Sequence, residues 1–249
     1  MSQQQEDITL RLSEVRARIG AAAARAGRDP AGVRLVAVTK TYPAEVIREA
    51  MRAGLRDFGE NKVQEGAAKI RELEPLWNVE GTGTPNDKPC FHLIGHLQTN
   101  KAKVAAMIFG MIHSVDSERL AVELNRHATA VGSTLDILLQ VNVSGEDTKS
   151  GFEPAEIRSA LPRIIKVCPA LRLCGLMTMA PFVDDPEESR PCFAALRELS
   201  HELRGMTGTD QSRLGRELSM GMTNDYETAI GEGATIVRIG TALFGHRGL

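Results

Sequence analysis

The sequence repeats one pattern eight times along its length. A short apolar run is followed by a polar or glycine-bearing turn, and then by a helix-length segment with apolar residues every three or four positions. Such alternation requires parallel strands joined by crossover helices, which leaves a closed barrel or an open doubly wound sheet. Eight units in 249 residues favour a closed (β/α)8 TIM barrel. The predicted strands lie near residues 34–39, 56–59, 90–94, 111–115, 135–143, 171–178, 215–219 and 235–239.

One extra helix is predicted before the first strand, and an alanine run at 21–24 continues it. Its apolar face is formed by residues at helical spacing, namely Ile8, Leu12, Val15 and Ile19. The segment 78–89 is rich in Gly, Pro, Asn and Thr, which is typical of a surface loop before the third strand. Because this loop is a connection and not a boundary, we expect residues 1–249 to form a single barrel domain.

The composition argues against several classes of function. Lys and Arg number 30 against 32 Asp and Glu, so a net charge of −2 provides no basic surface for nucleic acid or for a membrane. The sequence has neither a signal peptide nor a membrane span, so we expect a cytoplasmic protein. The cysteines lack C-x-x-C spacing, and we expect reduced, mostly buried thiols that form no disulfide and bind no metal: Cys90, Cys168, Cys174 and Cys192.

The candidate chemistry lies at the C-terminal ends of strands, where barrels of this kind carry their reactive groups. Lys40 follows the first predicted strand, and Ser219 ends the seventh. Arg238 belongs to the eighth strand, and Gly240 and Thr241 follow it. Because closure of the barrel makes the first and eighth strands neighbours, we expect these three clusters to converge.

The converging residues combine an amine with donors for a phosphate. The amine of Lys40 can attack an aldehyde. A phosphate dianion suits the donors nearby, which are the Ser219 hydroxyl, the N–H groups of Gly240 and Thr241 and the start of the helix after Thr223. Pyridoxal 5'-phosphate has both an aldehyde and a phosphate and therefore fits both ends. Three alternatives stay open on the residues alone: a solvated strand-end lysine, a serine that only forms a turn, and a noncovalent site for another sugar-like phosphate.

A set of motifs that spans nearly the whole chain resembles the pyridoxal phosphate homeostasis protein family. That family in turn is similar to the N-terminal barrel of bacterial alanine racemase. The motifs are VAVTK at 36–40, FGENKVQE at 58–65, HLIGHLQTNK at 92–101, SVDS at 114–117, GLMTM at 175–179, LSMGM at 218–222 and RIGTALFG at 238–245. Their order and combination are highly specific.

The resemblance implies a role for each candidate residue. Lys40 is expected to hold the cofactor as a Schiff base, and Ser219, Gly240 and Thr241 to bind its phosphate. Arg238 is expected to face the pyridine nitrogen and Asn61 to lie beside the ring. The resemblance also implies binding and buffering of the cofactor, an effect on vitamin B6 and amino-acid balance, and no assigned turnover.

Arg238 distinguishes two functional hypotheses. A permanently cationic arginine can only donate a hydrogen bond to an unprotonated ring nitrogen, which supports carbanion chemistry weakly. We therefore expect a protein that handles the cofactor. Apo enzymes that use pyridoxal phosphate are its candidate partners. The alternative is a narrow amino-acid racemase or decarboxylase with a second acid or base such as Tyr226 or a pocket histidine. In the racemases that group comes from a C-terminal domain, whereas this sequence ends at Leu249, and we expect a monomer.

Two histidines four residues apart, His92 and His96, raise the question of a metal site. They lie on a strand that leads into a turn and lack the H-E-x-x-H pattern of a zinc helix. We therefore predict no metal, and we interpret both histidines as polar groups that line or rim the pocket.

Overall fold

Eight parallel strands close into a barrel, as the sequence predicts. We describe a computed structural model of the chain, which covers residues 3–80, 88–146, 150–206 and 214–245. Each strand pairs with the next, and β1 pairs with β8 to close the sheet, with Leu35 opposite Val237. The strands are β1 (Arg34–Val38), β2 (Asp57–Glu60), β3 (Cys90–Leu93), β4 (Met111–Val115), β5 (Leu135–Gln140), β6 (Leu171–Met177), β7 (Leu214–Ser219) and β8 (Ile236–Ile239).

The helices form the outer layer. None of those in the described part of the chain combines the length and the apolar composition that crossing a bilayer requires. The helices are α1 (Gln3–Arg25), α2 (Ala44–Arg52), α3 (Val63–Glu80), α4 (Ala102–Ile108), α5 (Glu118–Ala130), α6 (Pro154–Val167), α7 (Arg190–Met206), α8 (Tyr226–Gly231) and α9 (Thr241–Phe244). Of these, α2 to α8 connect successive strands.

The alternation of side chains along the strands creates two separate cores. Ala37 of β1 belongs to the large core between the barrel and its helices. Val36, one residue earlier, belongs to a small core inside the barrel, together with Met111, Leu138, Met177 and Ile236. Successive side chains of a strand point to opposite faces, so neighbours such as Val36 and Ala37 contribute to different cores.

The extra N-terminal helix is confirmed and covers the seam where the barrel closes. It packs against α2, α8 and α9, which flank strands β1 and β8. The predicted apolar face is buried, with exposed fractions of at most 5% for Ile8, Leu12, Val15 and Ile19. Arg28, which follows the helix, donates hydrogen bonds to the carbonyls of Ile230 and Ala234 at 2.8 and 2.9 Å.

Two predictions need correction. The segment 78–89 does not begin as a loop, because α3 continues to Glu80; residues 81–87 lie outside the described ranges. None of the four cysteines forms a disulfide in the described part of the chain, but only Cys168 and Cys192 are buried, whereas Cys90 and Cys174 are partly exposed.

Candidate functional site

A cavity opens at the C-terminal end of the barrel, where β1 and β8 lie side by side. Its volume is about 420 Å³, which is typical of small-molecule sites. Four of the predicted residues line it, namely Lys40, Arg238, Gly240 and Thr241. The rest of the lining comes from β1 and from the segments after β1, β6 and β7: Val38, Tyr42, Pro181, Phe182, Val183, Met222, Thr223, Asn224 and Asp225. Barrel closure thus places one amine and several hydrogen-bond donors around the same space.

Lys40 lies in a short segment with a strained backbone. Thr39 is completely buried after the end of β1, and Lys40 is half-buried in the cavity wall. Thr41 has a φ of 67°, a left-handed conformation that costs a residue of this kind about 1–2 kcal/mol. Its backbone N–H donates a hydrogen bond to the Glu65 carboxylate, which stabilises this conformation. The strained residue therefore sets the direction in which the chain leaves β1 beside Lys40.

An ionic cluster formed by the buried Lys69 and Glu60 and the partly exposed Glu65 contacts this segment. Lys69 Nζ lies 2.7 Å from both Glu60 Oε1 and Glu65 Oε1, and 2.7 Å from the carbonyl oxygen of Thr39. The Thr39 hydroxyl donates to Glu60 Oε1 at 2.7 Å. Only 8% of the Lys69 side chain and none of the Glu60 side chain is exposed, so water does not screen this ion pair. The cluster therefore holds the backbone on both sides of Lys40.

Burial and ion pairing act in opposite directions on the two carboxylates. Burial raises the pKa of Glu60 above its ordinary value, and hydrogen bonds from Lys69 and Thr39 offset only part of this effect. Burial also acts to raise the pKa of Glu65, but hydrogen bonds from Lys69 and Thr41 outweigh it and lower that pKa. Lys69 therefore balances two carboxylates that would otherwise repel each other in the interior.

Arg238 presents a fixed guanidinium at the inner end of the cavity. The residue is 3% exposed. Its Nη1 donates to Ser219 Oγ at 2.7 Å, and its Nη2 donates to the Thr178 carbonyl at 3.0 Å. Burial lowers the pKa of Arg238 to about 10, while Asp225 acts against this shift. Arg238 is still a cation at neutral pH, and it is held in one orientation.

The structure gives Ser219 a position that differs from the predicted one. Ser219 is completely buried and is absent from the cavity lining. Its Oγ accepts the hydrogen bond from Arg238 and lies 2.9 Å from His113 Nδ1. The hydroxyl that reaches the cavity from this segment belongs to Thr223, four residues later. Ser219 therefore lies beneath Arg238, and Thr223 replaces it as the candidate phosphate ligand.

A tight turn at Gly221 brings Thr223 to the cavity. Gly221 has a φ of 90°, and a Cβ at this position would lie 2.6 Å from the Ala229 Cβ and 2.9 Å from the Tyr226 Cα. After the turn, the Met222 N–H donates to Asp225 Oδ1 at 2.7 Å. Only glycine satisfies both the conformation and the lack of space.

The Gly221→Ala variant is expected to lose about 2–4 kcal/mol of unfolding free energy, because a positive φ and a steric clash act together. Gly205→Ala is the matched control, since Gly205 lies in α7 with no atom within 4 Å of its Cβ position. The same change there should be neutral or stabilise by up to about 1 kcal/mol. Urea denaturation of both variants measures the difference. Equal stabilities would contradict the assigned turn.

Asn61 lies outside the lining of the cavity. It follows β2, and its backbone packs so closely on Gly95 that a Cβ on that glycine would lie 2.4 Å from the Asn61 carbonyl oxygen. Close packing against the segment after β3 therefore holds Asn61 in place. Of the two methionines near the β7 turn, Met222 lines the cavity, whereas Met220 is completely buried.

The prediction that both histidines line or rim the pocket is wrong. The His96 side chain is 58% exposed and lies 3.1 Å from Asp116. His92 is completely buried inside the barrel, 3.0 Å from Asp57. Together with Cys90, these two residues each bring a polar atom within 4.8 Å of the others. Because His92 Nε2 lies within hydrogen-bond distance of the Asp57 carboxylate, we interpret the group as a hydrogen-bonded ion pair.

Tyr226, the candidate for a second acid or base, also lies away from the cavity. It is 1% exposed and packs in the outer core, with the Arg18 guanidinium 5.3 Å from its ring centre. Burial raises the pKa of Tyr226, and Arg18 acts against that shift. The structure therefore gives this tyrosine a packing role.

Sequence reasoning missed three features of the site. Glu65 and Lys69 have the spacing of an ordinary surface pair on a helix, so their burial had no local signal. His113 lies two residues after Met111, which belongs to the core inside the barrel, so the period-two pattern predicts an inward position for it. Thr223 lies just beyond the last residues of β7, and its position depends on the turn that precedes it.

The comparisons agree with this architecture. The family described as "Alanine racemase, N-terminal domain" matches residues 10–248. A solved structure of PipY from Synechococcus elongatus, with pyridoxal phosphate (PLP) bound, is 40% identical with a TM-score of 0.80 and covers 96% of this chain and 100% of that chain. The predicted barrel and its likeness to the racemase N-terminal domain are thus confirmed.

Two relatives extend the agreement to the whole sequence. The pyridoxal phosphate homeostasis protein of Pseudomonas aeruginosa is 47% identical over 236 residues, which cover 95% of this chain and 94% of that protein. The protein of the same name from Aquifex aeolicus is 43% identical over 237 residues, which cover 95% and 97%. The chain therefore belongs to the pyridoxal phosphate homeostasis protein family, within the larger family of the alanine racemase N-terminal domain.

Proposed function

We propose that the chain binds pyridoxal 5'-phosphate in the cavity, covalently through Lys40, and helps to maintain the cellular balance of this cofactor. One observation carries the proposal: Lys40, Arg238 and the first turn after β8 line the same cavity of about 420 Å³. Together these groups match the aldehyde, the ring nitrogen and the phosphate of one ligand. The names of the relatives and the bound PLP of PipY support the choice of this ligand.

The residues of the cavity fit each part of the ligand. Gly240 caps the short helix α9 and Thr241 begins it, and the N–H groups of a first helical turn lack partners within the helix. These groups and the Thr223 hydroxyl are suited to a phosphate. Val38 and Met222 offer apolar contact to the ring faces. Arg238 provides the donor for the ring nitrogen.

Covalent binding requires one condensation. The Lys40 amine adds to the aldehyde carbon, the carbonyl oxygen leaves as water, and a C=N bond joins Nζ to the cofactor. When bound, the cofactor supplies an electron-accepting ring. Arg238 is buried and cationic, and it would donate a hydrogen bond to the ring nitrogen while keeping its proton. A ring whose nitrogen stays unprotonated accepts electrons weakly. We therefore propose storage or transfer of the cofactor in preference to amino-acid racemisation, for which Tyr226 offers no group at the cavity.

The absorbance spectrum of the purified protein tests the proposal. A visible band is expected from the C=N bond, and borohydride reduction followed by peptide mapping should place the label on the peptide that contains Lys40. A colourless protein that stays unlabelled after incubation with the cofactor would contradict the proposal. Exchange of amino-acid Cα hydrogen in deuterated water, above the rate with free cofactor, would support the racemase alternative instead.

Thr223→Val is expected to raise the dissociation constant for pyridoxal 5'-phosphate about 10- to 100-fold, because a hydrogen bond to a charged group contributes about 1.5–3 kcal/mol. Valine has nearly the same shape but no hydroxyl. The control is Thr129→Val on the exposed surface of α5, for which no change is expected. Equilibrium dialysis measures both. An unchanged constant in Thr223→Val would remove Thr223 from the phosphate site.

We also propose that the described residues act as one domain. The support for this is that α1, which precedes the first strand, packs on α2, α8 and α9 where the barrel closes. A single cooperative transition in urea, with the same midpoint by fluorescence and by circular dichroism, is the expected result.

A further inference from the structure

A chain of polar side chains begins at the partly exposed Asp57, continues through buried residues in the interior of the barrel and ends at Arg238. Asp57 is the first residue of β2, and its Oδ1 lies 3.0 Å from His92 Nε2. His92 Nδ1 lies 2.9 Å from His113 Nε2, and His113 Nδ1 lies 2.9 Å from Ser219 Oγ. Ser219 Oγ accepts from Arg238 at 2.7 Å. The chain therefore runs from the N-terminal end of the strands to the cavity at the opposite end.

These residues place polar side chains in the interior of the barrel, which is otherwise filled by apolar ones. His92, His113 and Ser219 are completely buried, at inward positions beside the small apolar core of the barrel. Buried polar groups destabilise a fold unless they are hydrogen-bonded. The imidazoles meet nearly perpendicularly, with an angle of 82° between rings. This geometry directs a nitrogen of each ring at the other, so both rings are bonded through both nitrogens.

The charges along the chain are consistent with this arrangement. Burial acts against a charged His92, but hydrogen bonds to Asp57 and Cys90 outweigh it and raise the pKa of His92 to about 9. Burial, reinforced by the positive charges of His92 and Arg238, holds the pKa of His113 well below its ordinary value. A neutral His113 between two cations can accept a hydrogen bond from His92 Nδ1–H at its Nε2 and donate one from its Nδ1–H to Ser219 Oγ. The hydroxyl of Ser219 can then accept from both sides.

We propose that Asp57, His92, His113 and Ser219 are positioning residues that orient the Arg238 guanidinium and thereby set the electronic state of the cofactor ring. The proposal rests on the proposed function, since it assigns Arg238 to the ring nitrogen. Each terminal nitrogen of Arg238 has one buried anchor, which is Ser219 Oγ for Nη1 and the Thr178 carbonyl for Nη2, and each also carries a second N–H. Loss of the Ser219 contact would free one of these two anchors.

Ser219→Ala removes the link between Arg238 and the histidines with the smallest possible change. Ser114→Ala is the matched control, because Ser114 is also buried and its hydroxyl bonds to the Gly95 carbonyl at 2.6 Å, outside the chain. In the loaded protein at fixed pH, Ser219→Ala should shift the visible absorbance maximum and raise the dissociation constant about tenfold. Ser114→Ala should leave both at their wild-type values. If Ser219→Ala does not fold, Ser219→Cys replaces it, since a thiol of similar shape bonds only weakly.

A second readout needs no cofactor. In the unloaded protein labelled with ¹⁵N, the ring nitrogens of His113 should change chemical shift in Ser219→Ala and stay in place in Ser114→Ala. Both readouts must move in Ser219→Ala, and a change in only one of them, or in neither, overturns the positioning role. If the wild-type protein binds no cofactor, the proposed function fails, whereas unchanged His113 shifts would refute the chain itself. The two failures are thus distinguishable.

Discussion

Lys40→Ala should remove all covalently bound pyridoxal 5'-phosphate, with loss of the visible absorbance band and of the borohydride-fixed label. The expected loss is complete because an alanine methyl cannot condense with an aldehyde. Noncovalent binding should persist at lower affinity, since Arg238, Thr223 and the first turn of α9 are unchanged. Mass spectrometry of the reduced protein measures the covalent fraction, and equilibrium dialysis measures the remaining affinity.

Two further variants test whether the label depends on the lysine amine itself, on its positive charge or only on the exposure of a lysine. Lys40→Arg keeps the positive charge but cannot form the C=N bond, and it should lose the label as completely as Lys40→Ala. Lys62→Ala removes an exposed lysine after β2 and should keep the full label. Retention of a stoichiometric label in Lys40→Ala would place the covalent link on another lysine and refute the proposed function.

Lys69→Met should lower the free energy of unfolding by about 3–5 kcal/mol, the usual cost of removing one partner of a buried ion pair. Methionine retains most of the side-chain volume, so the main effect is to leave Glu60 and Glu65 together without their cation. The Thr39 carbonyl also loses its donor, so retention of the cofactor on Lys40 should fall. Urea denaturation and the labelling yield measure the two effects.

One control makes the same Lys→Met substitution at an exposed site, and the other adds a second substitution within the ionic cluster. Lys103→Met changes an exposed lysine of α4, and a change within about 0.5 kcal/mol is expected. Adding Glu60→Gln to Lys69→Met should recover part of the lost stability, because it removes a buried, unpaired charge. If Lys69→Met were as stable as Lys103→Met, the cluster would contribute nothing to the fold.

The pH dependence of Lys69→Met follows from the Glu60 carboxyl. Burial raises the pKa of Glu60, and Lys69 opposes this rise in the wild-type protein. In the variant the pKa should rise further. A carboxyl with a raised folded-state pKa destabilises the fold above that pKa, and protonation relieves the effect. The stability deficit of Lys69→Met should therefore shrink as the pH falls from 7 toward 5, and a deficit that is constant over this range would contradict the buried charge.

The strands were predictable because their signals are local. An apolar run of strand length between turn residues identifies each of them, and the predicted ends agree with the structure to within one or two residues in most cases. The main difference is the fifth strand, predicted to reach residue 143, which ends at Gln140. Beyond it, Val141 forms only an isolated bridge to Phe152 of the returning loop. That contact joins residues eleven positions apart, so no local pattern marks the strand end.

The sequence by itself determined the barrel, the extra helix, the family and the strand ends that carry Lys40, Arg238, Gly240 and Thr241. These follow from periodicity and motif order, which are properties of short segments. Only the tertiary structure decided which hydroxyl of the β7 segment faces the cavity, and it selected Thr223 over Ser219. It alone also assembled the ionic cluster beneath Lys40 and the histidine chain behind Arg238. Each of these features depends on packing between strands and helices that are distant in sequence. The position of a left-handed turn or of a buried charge is set by contacts with several such segments, which no local pattern records.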